Sequence, residues 1–410
     1  VRTLLQNATV ITQNAKREIL RGVDVVIEND KITFPTDSTN TNFDNVYDLS
    51  GKFLLPGFVQ AHVHLCQTHL RNHGDDRELL PWLREVIWPG EAELTEETLY
   101  QTARLAVDEL IEGGTTSVLT METVKFTHSS IQAVIDGGIR AIVGKALMDR
   151  DAGQPTSLLE DTTAALQEAD SLYDTYNDVA NGRVKVCYAP RFVPTSSEKL
   201  LTGISARAKE RNAIIHTHCS ENRSEIALVK QLTGKDNLHY LDSIGLLSPR
   251  TCLAHCIHLG DNDITRLRDN GVHVLHCPSS NLKLGSGIAP IAELLLAGVS
   301  VALGADGAPC NNNLDGLHEA RLMPMLQSIR VGVGKVTAQH ALDALTINGA
   351  KALGLEKEIG SIEAGKKADL IVVNPNRPHS VGGDDPVSRL IYSCRADDVE
   401  MVWVDGIQLK

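Results

Sequence analysis

Short β-branched runs alternate with longer helical patterns through the middle of this 410-residue chain, and that rhythm constrains the fold more than any other feature. Eight runs read as strands: GFVQAH, TTSVLTM, IRAIVGKAL, RVKVCYAP, NAIIHTH, TCLAHCI, GVHVLHC and VSVALGAD. Between them lie segments with helical spacing, such as LTEETLYQTARLAVDELIEGG and SEKLLTGISARAKERN; the second opens on a serine suited to cap a helix. Strands that alternate with helices pair in parallel, because each helix carries the chain back to start the next strand in the same direction. Eight such units over about 300 residues predict an α/β fold, a (β/α)8 TIM barrel. A doubly wound open sheet would need a glycine-rich phosphate turn or a switch-point crevice, and no GxGxxG follows any of these strands.

The two ends of the chain read differently. VRTLLQNATVIT alternates, EILRGVDVVIENDKIT follows a polar turn, and NTNFDNV leads into YDLSGKFLLPG. At the other end, GKKADLIVVNPN and ADDVEMVWVDGIQLK are short apolar runs broken by Asn-Pro and Asp-Gly, which are turn signals. Chain termini often lie close together. One small β-sandwich domain built from residues 1–56 and 361–410 is therefore expected, beside a barrel catalytic domain over 57–360.

Composition excludes several classes of partner. A formal net charge of -13 repels phosphate backbones and anionic lipid, so neither nucleic acid nor a membrane surface is an expected partner. Aromatic residues make up only 4%, too few for an open base-stacking platform. No signal-peptide pattern and no apolar run of membrane length is found. The 8 cysteines form no CxxC pair, and Cys252 and Cys256 lie too far apart along one strand to bridge. Reduced, buried thiols in a cytoplasmic protein are expected.

Polar residues cluster where the strands end. His62 and His64 close the first barrel strand, and the two-residue period of a strand points both side chains the same way. His216 and His218 close the fifth strand, His255 the sixth and Asp306 the eighth. In a TIM barrel all these ends meet at one face, where active sites lie. Imidazoles with a carboxylate make a divalent-metal site, and one open position there binds water and lowers its pKa from 15.7 to about 7. Glu221 follows His218 by three residues and is the candidate proton shuttle, because hydrolysis of a C–N bond needs the departing nitrogen protonated.

The motifs PGFVQAHVHL, HTHCSEN, LAHC, HCPSSNLKLGSG, GADGAPCNNNLD and GSIEAGKKADLIVVN resemble the amidohydrolase superfamily over nearly the whole chain. More narrowly they resemble its aminohydrolase branch, which holds guanine, S-adenosylhomocysteine and 5′-deoxyadenosine deaminases and s-triazine hydrolases. The resemblance implies that His62, His64, His218 and Asp306 ligate one divalent ion per chain, Zn²⁺ or alternatively Fe²⁺. It implies further that Asp306 accepts a proton from water, Glu221 protonates a ring nitrogen, and His255 orients the water. His216 matches no ligand and reads as a packed barrel histidine. A second metal would need a bridging lysine; the fourth strand ends in YAPRF without one, and Lys145 on the third is the only near candidate.

The implied substrate is a small purine-type heterocycle. Arg191 in PRF and Gln67 match guanine-contacting positions, Trp82 is a candidate pocket wall, and Asn281 with Ser280 shapes the seventh-strand loop. Asn311 and Asn312 either hold the eighth loop or touch substrate, and His276 reads as structural. GKALMD, PRF and SENRSE resemble guanine deaminases, whereas IWPGEAELTEE and DGAPCNNNLD resemble deaminases of 5′-deoxyadenosine. Two other activities remain open: s-triazine hydrolysis with chloride or an alkylamine leaving, and two-metal cleavage of a cyclic amide. A non-catalytic scaffold is the reading from another class, but every ligand position is filled. A homo-oligomer is expected from the same relatives.

Overall fold

A computed structural model describes residues 1–35 and 42–410. The first two residues of NTNFDNV therefore lie outside the described residues. Five strands come first: β1 (Arg2–Ile11), β2 (Ile19–Glu28), β3 (Lys31–Thr33), β4 (Asn45–Asp48) and β5 (Phe53–Pro56). Nine follow: β6 (Phe58–His64), β7 (Thr115–Met121), β8 (Arg140–Leu147), β9 (Val184–Pro190), β10 (Ile215–Cys219), β11 (Thr251–His255), β12 (His273–His276), β13 (Ser300–Leu303) and β14 (Asp306–Gly307). The last three are β15 (Leu370–Val373), β16 (Val399–Val404) and β17 (Ile407–Gln408).

β6 to β14 form one parallel sheet in the order β13-β12-β11-β10-β9-β8-β7-β6-β14. Its strands are buried on both faces and carry nearly continuous apolar runs, as parallel strands covered by helices must. The helices between strands are capped: Thr95 opens Glu96–Glu112, and Ser197 opens Glu198–Arg211 as its sequence suggests. All eight sequence-read strands are present, and the eighth is split into β13 and β14 by Gly304 and Ala305. The sheet thus curls until one stretch of chain supplies both its ends. Gly304 permits the closure. A Cβ there would stand 2.4 Å from the carbonyl oxygen of His62, so any larger residue would push β6 away. Beyond it, Asp306 pairs opposite Val63 and Gly307 opposite His64.

The terminal segments build a second, mixed sheet in the order β17-β16-β15-β5-β1-β2-β3, with β4 also on β1. It buries its own core, which includes Leu5, Val10, Ile27, Leu54, Leu370 and Trp403. The strands of both termini thus join in one continuous hydrogen-bonded sheet. The cause is a bulge in β1: the register shifts between Leu5 and Ala8, where Asn7 takes φ 61°. Before it β1 pairs with β4, and after it with β5, so one strand serves both halves. Among the described residues, no helix is long and apolar enough to cross a membrane.

Arg140 ties the two sheets together. Its guanidinium, at the start of β8, donates to Asp369 Oδ2 at 2.8 Å and Oδ1 at 3.0 Å, and also to Asp405. Arg140 and Asp369 are buried, and the two carboxylates hold the guanidinium even more firmly protonated despite its burial. Arg140→Leu strands two carboxylates in the junction. It is expected to lower unfolding free energy by about 3–5 kcal/mol, measured by chemical denaturation. A variant as stable as wild type would show that the pair does not hold the junction.

Candidate active site

His62 and His64 leave the end of β6 on one face, His218 comes from the end of β10, and Asp306 opens β14. The curled sheet brings one ligand atom from each within 4.8 Å of all the others. Asp306 Oδ1 lies 3.2 Å from His62 Nε2 and 3.1 Å from His64 Nε2, and His64 Nε2 lies 3.3 Å from His218 Nε2. Each imidazole is oriented by its other nitrogen. His64 Nδ1 meets the Met121 carbonyl at 2.6 Å, His218 Nδ1 the Arg191 carbonyl at 2.7 Å, and His62 Nδ1 the His216 Nε2 at 2.7 Å. All three Nε2 atoms therefore face one another and the carboxylate.

This donor set fits a divalent cation. Burial lowers the pKa of His62 to about 4 and that of His218 well below the usual range, so both imidazoles are neutral with free lone pairs. Burial also opposes charge on His64 and Asp306. Asp306 nonetheless raises the pKa of His64, and the two histidines hold Asp306 well below the usual carboxylate range. His62 Nε2 is buried and has no hydrogen-bond partner among the described residues. Imidazole nitrogens and a carboxylate that converge in a buried site, one of them unsatisfied, are the ligands Zn²⁺ and Fe²⁺ take. Backbone strain marks the place: His255 at φ 73° and Asp306 at φ 63° are non-glycine residues in the left-handed region, a conformation that costs about 1–3 kcal/mol each.

Two groups stand beside this cluster. His255 Nε2 lies 3.4 Å from Glu221 Oε2 and 3.9 Å from Asp306 Oδ2. Burial, with Asp306 and Glu225 nearby, pushes the Glu221 carboxyl well above the usual range, which favours its protonated form. Glu225 also fixes the backbone of this turn, accepting from the N–H of Glu221 at 2.7 Å and of Asn222 at 3.3 Å. Helix Arg223–Thr233 is capped by Asn222, so Glu221 lies in the turn between β10 and that helix.

A narrow cavity lies above the cluster. His64, His218, Glu221, His255 and Asp306 line it, with Leu79, Trp82, Leu83, Phe192 and Leu284 as apolar walls. Gln67, Trp82 and Arg191 all face this cavity, as the sequence suggests. Asn281 does not; it sits behind His255, its Oδ1 2.8 Å from Nδ1, and orients that ring instead. Ser280 acts similarly on Asp306, donating to Oδ2 at 2.7 Å. Asn311 donates to the Ala305 carbonyl at 2.7 Å and to Glu319 at 3.1 Å, while Asn312 engages Lys283 and Asn72, so both hold the loop. His276 is buried, with its pKa lowered to about 3, and lines no part of the cavity. Lys145 donates to the Val124 carbonyl at 2.6 Å and to Glu160 at 2.7 Å, an ion pair that occupies the amine.

Glu91 is the polar group the sequence reading missed. Buried in the helical stretch over the cavity, it accepts from Gln67 Nε2 at 2.8 Å and Arg191 Nη1 at 2.7 Å. A signal existed: Glu91 lies three and four residues after Trp88 and Ile87, both buried, on one helix face. A carboxylate on such a face requires a partner. The chosen partners leave Gln67 Oε1 buried without a hydrogen bond among the described residues.

The chain is similar to known proteins over most of its length. The chain is 37% identical over 407 residues to 5′-deoxyadenosine deaminase of Methanosarcina acetivorans, covering 98% of this chain and 91% of that one. It is 39% identical over 366 residues to the 5-methylthioadenosine/S-adenosylhomocysteine deaminase of Moorella thermoacetica, covering 88% and 83%. A zinc-bound adenosine deaminase from Xanthomonas campestris superposes with TM-score 0.92 at 30% identity, over 99% of this chain and 92% of that one. Guanine deaminase from C. acetobutylicum, with guanine bound, superposes with TM-score 0.89 at 27% identity over all of both chains. The amidohydrolase family profile matches residues 53–409, and the chain belongs to that family.

Proposed function

We propose that this chain is a metal-dependent deaminase of a purine nucleoside of the 5′-deoxyadenosine kind. The observation that carries the reading is the convergence of His62, His64, His218 and Asp306 at the foot of a cavity that Glu221 and His255 also line. Those four residues would hold a divalent ion, which when bound would lower the pKa of water and supply a nucleophile at neutral pH. Asp306 stands where it can take the proton released from water. Protonated Glu221 gives its proton to the ring nitrogen beside the attacked carbon, the proton that Asp306 took from water passes to the amino group, and the C–N bond breaks, so that ammonia leaves while the added hydroxyl becomes a carbonyl and returns its proton to Glu221. His255, held by Asn281, orients the attacking water. Zn²⁺ is the ion of choice, since the zinc-bound neighbour shares the fold.

On the substrate side, Glu91 joins Gln67 to Arg191, and the pair neutralises the guanidinium within the cavity. The wall is therefore suited to a neutral polar heterocycle. Arg191 retains N–H donors for ring or carbonyl acceptors, and Gln67 Oε1 awaits a donor. The names of the relatives favour a nucleoside over free guanine. The reading also takes the curled sheet as a closed (β/α)8 barrel over 57–360 and the mixed sheet as a domain of 1–56 and 361–410. It takes the chain as a cytoplasmic enzyme, since all eight cysteines are free and buried, and as a homo-oligomer on the family resemblance alone.

Ammonia release tests the proposal. Metal-loaded protein is assayed with 5′-deoxyadenosine, 5-methylthioadenosine, S-adenosylhomocysteine, adenosine and guanine, and chloride release is followed from a chlorinated s-triazine. A nucleoside is expected to give the highest kcat/KM. Guanine as the best substrate would overturn the nucleoside assignment, and chloride release without ammonia release would overturn deamination.

A further inference from the structure

We propose that His216 is a positioning residue that fixes the tautomer and angle of His62 as a metal ligand. The inference rests on the metal reading above. It starts from an asymmetry among the three imidazoles. His64 and His218 are held by the main-chain carbonyls of Met121 and Arg191, which no substitution at those positions removes. Among the described residues His62 has no such carbonyl, and its Nδ1 faces only the Nε2 of His216, at 2.7 Å.

The hydrogen bonding then has one consistent solution. His62 Nε2 points to Asp306 and the other two Nε2 atoms, so a metal takes its lone pair there and the ring proton sits on Nδ1. That proton is donated to His216 Nε2, whose own proton must be on Nδ1. His216 Nδ1 in turn faces the Thr120 carbonyl at 3.4 Å. The two rings stand nearly perpendicular, at 89°, with centroids 4.9 Å apart. Both are buried, so no water competes for the contact. His216 is thus an acceptor for a ligand, and the HTH spacing in β10 has a cause: its second histidine binds the ion and its first steadies the ligand on β6.

Groups in this position set metal affinity by orienting the ring and raising its basicity, and their loss weakens binding by about 10- to 100-fold. The test is Zn²⁺ binding to metal-free protein, measured in competition with a chromogenic chelator. His216→Leu and His216→Phe keep an apolar side chain in the space and remove the acceptor; His216→Gln keeps an acceptor. The apolar variants are expected to bind Zn²⁺ about 10- to 100-fold more weakly. The glutamine variant should recover most of that loss. Melting temperatures of the metal-free variants should stay close to that of metal-free wild type, and the difference should open only with Zn²⁺ present. Wild-type affinity in an apolar variant that folds would overturn the proposal, as would an equal loss in the glutamine and apolar variants. Failure of wild type to bind Zn²⁺ would overturn the metal reading itself, which separates the two failures.

Discussion

Glu221→Gln is expected to lower kcat for ammonia release by about 100- to 10,000-fold while the metal content of the chain stays unchanged. Glutamine keeps the shape and the neutral charge of a protonated carboxyl but cannot hand over a proton. Glu221 is also no part of the ligand cluster, so the ion has no reason to leave. The surroundings fit the role. Burial, the Asp306 charge and the Glu225 charge all disfavour the ionised form, which keeps the acid loaded at pH values where an exposed glutamate is bare. Steady-state kinetics beside elemental analysis checks the prediction. A glutamine variant with wild-type kcat would show that protonation comes from elsewhere, and one that lost its metal would show that Glu221 belongs to the ligand set.

His64→Ala is expected to lose metal and activity together. His64 Nε2 lies close to both Asp306 and His218, so its removal opens the centre of the ligand cluster. Groups that merely orient a ligand are worth about 10- to 100-fold in affinity, and loss of the ligand itself should exceed that. Activity should fall by at least the same factor, because the nucleophile depends on the ion. The fold should survive, since His64 ends a strand whose buried neighbours Val59, Ala61 and Val63 remain. Circular dichroism would confirm the fold while metal content and ammonia release are measured. Retained activity in metal-depleted His64→Ala would refute the site.

Much of this was legible in the sequence because each signal is local. Strand period aligns His62 with His64, and strand ends place His218, His255 and Asp306 at one face once the barrel is assumed. All eight strands are found where the β-branched runs predict them. Contacts between segments distant in the chain were less legible. The bond between Asn281 and His255 spans 26 residues, and that between Glu91 and Arg191 spans 100. No spacing rule reveals such pairs. His216 was read as packing because it matches no ligand, and only the ring-to-ring distance to His62 shows what it contacts. The terminal domain shows the same limit. Alternating runs announce strands, but the bulge at Asn7 that merges them into one sheet depends on a single φ angle.

The central claim is that His62, His64, His218 and Asp306 hold one catalytic ion. Counting metal per chain on active wild-type protein, before and after chelation, tests it most directly. One Zn²⁺ or Fe²⁺ per chain, with ammonia release lost on chelation and regained on adding one equivalent, is the predicted result. Full activity in metal-free protein, or activity that requires two ions per chain, would contradict it.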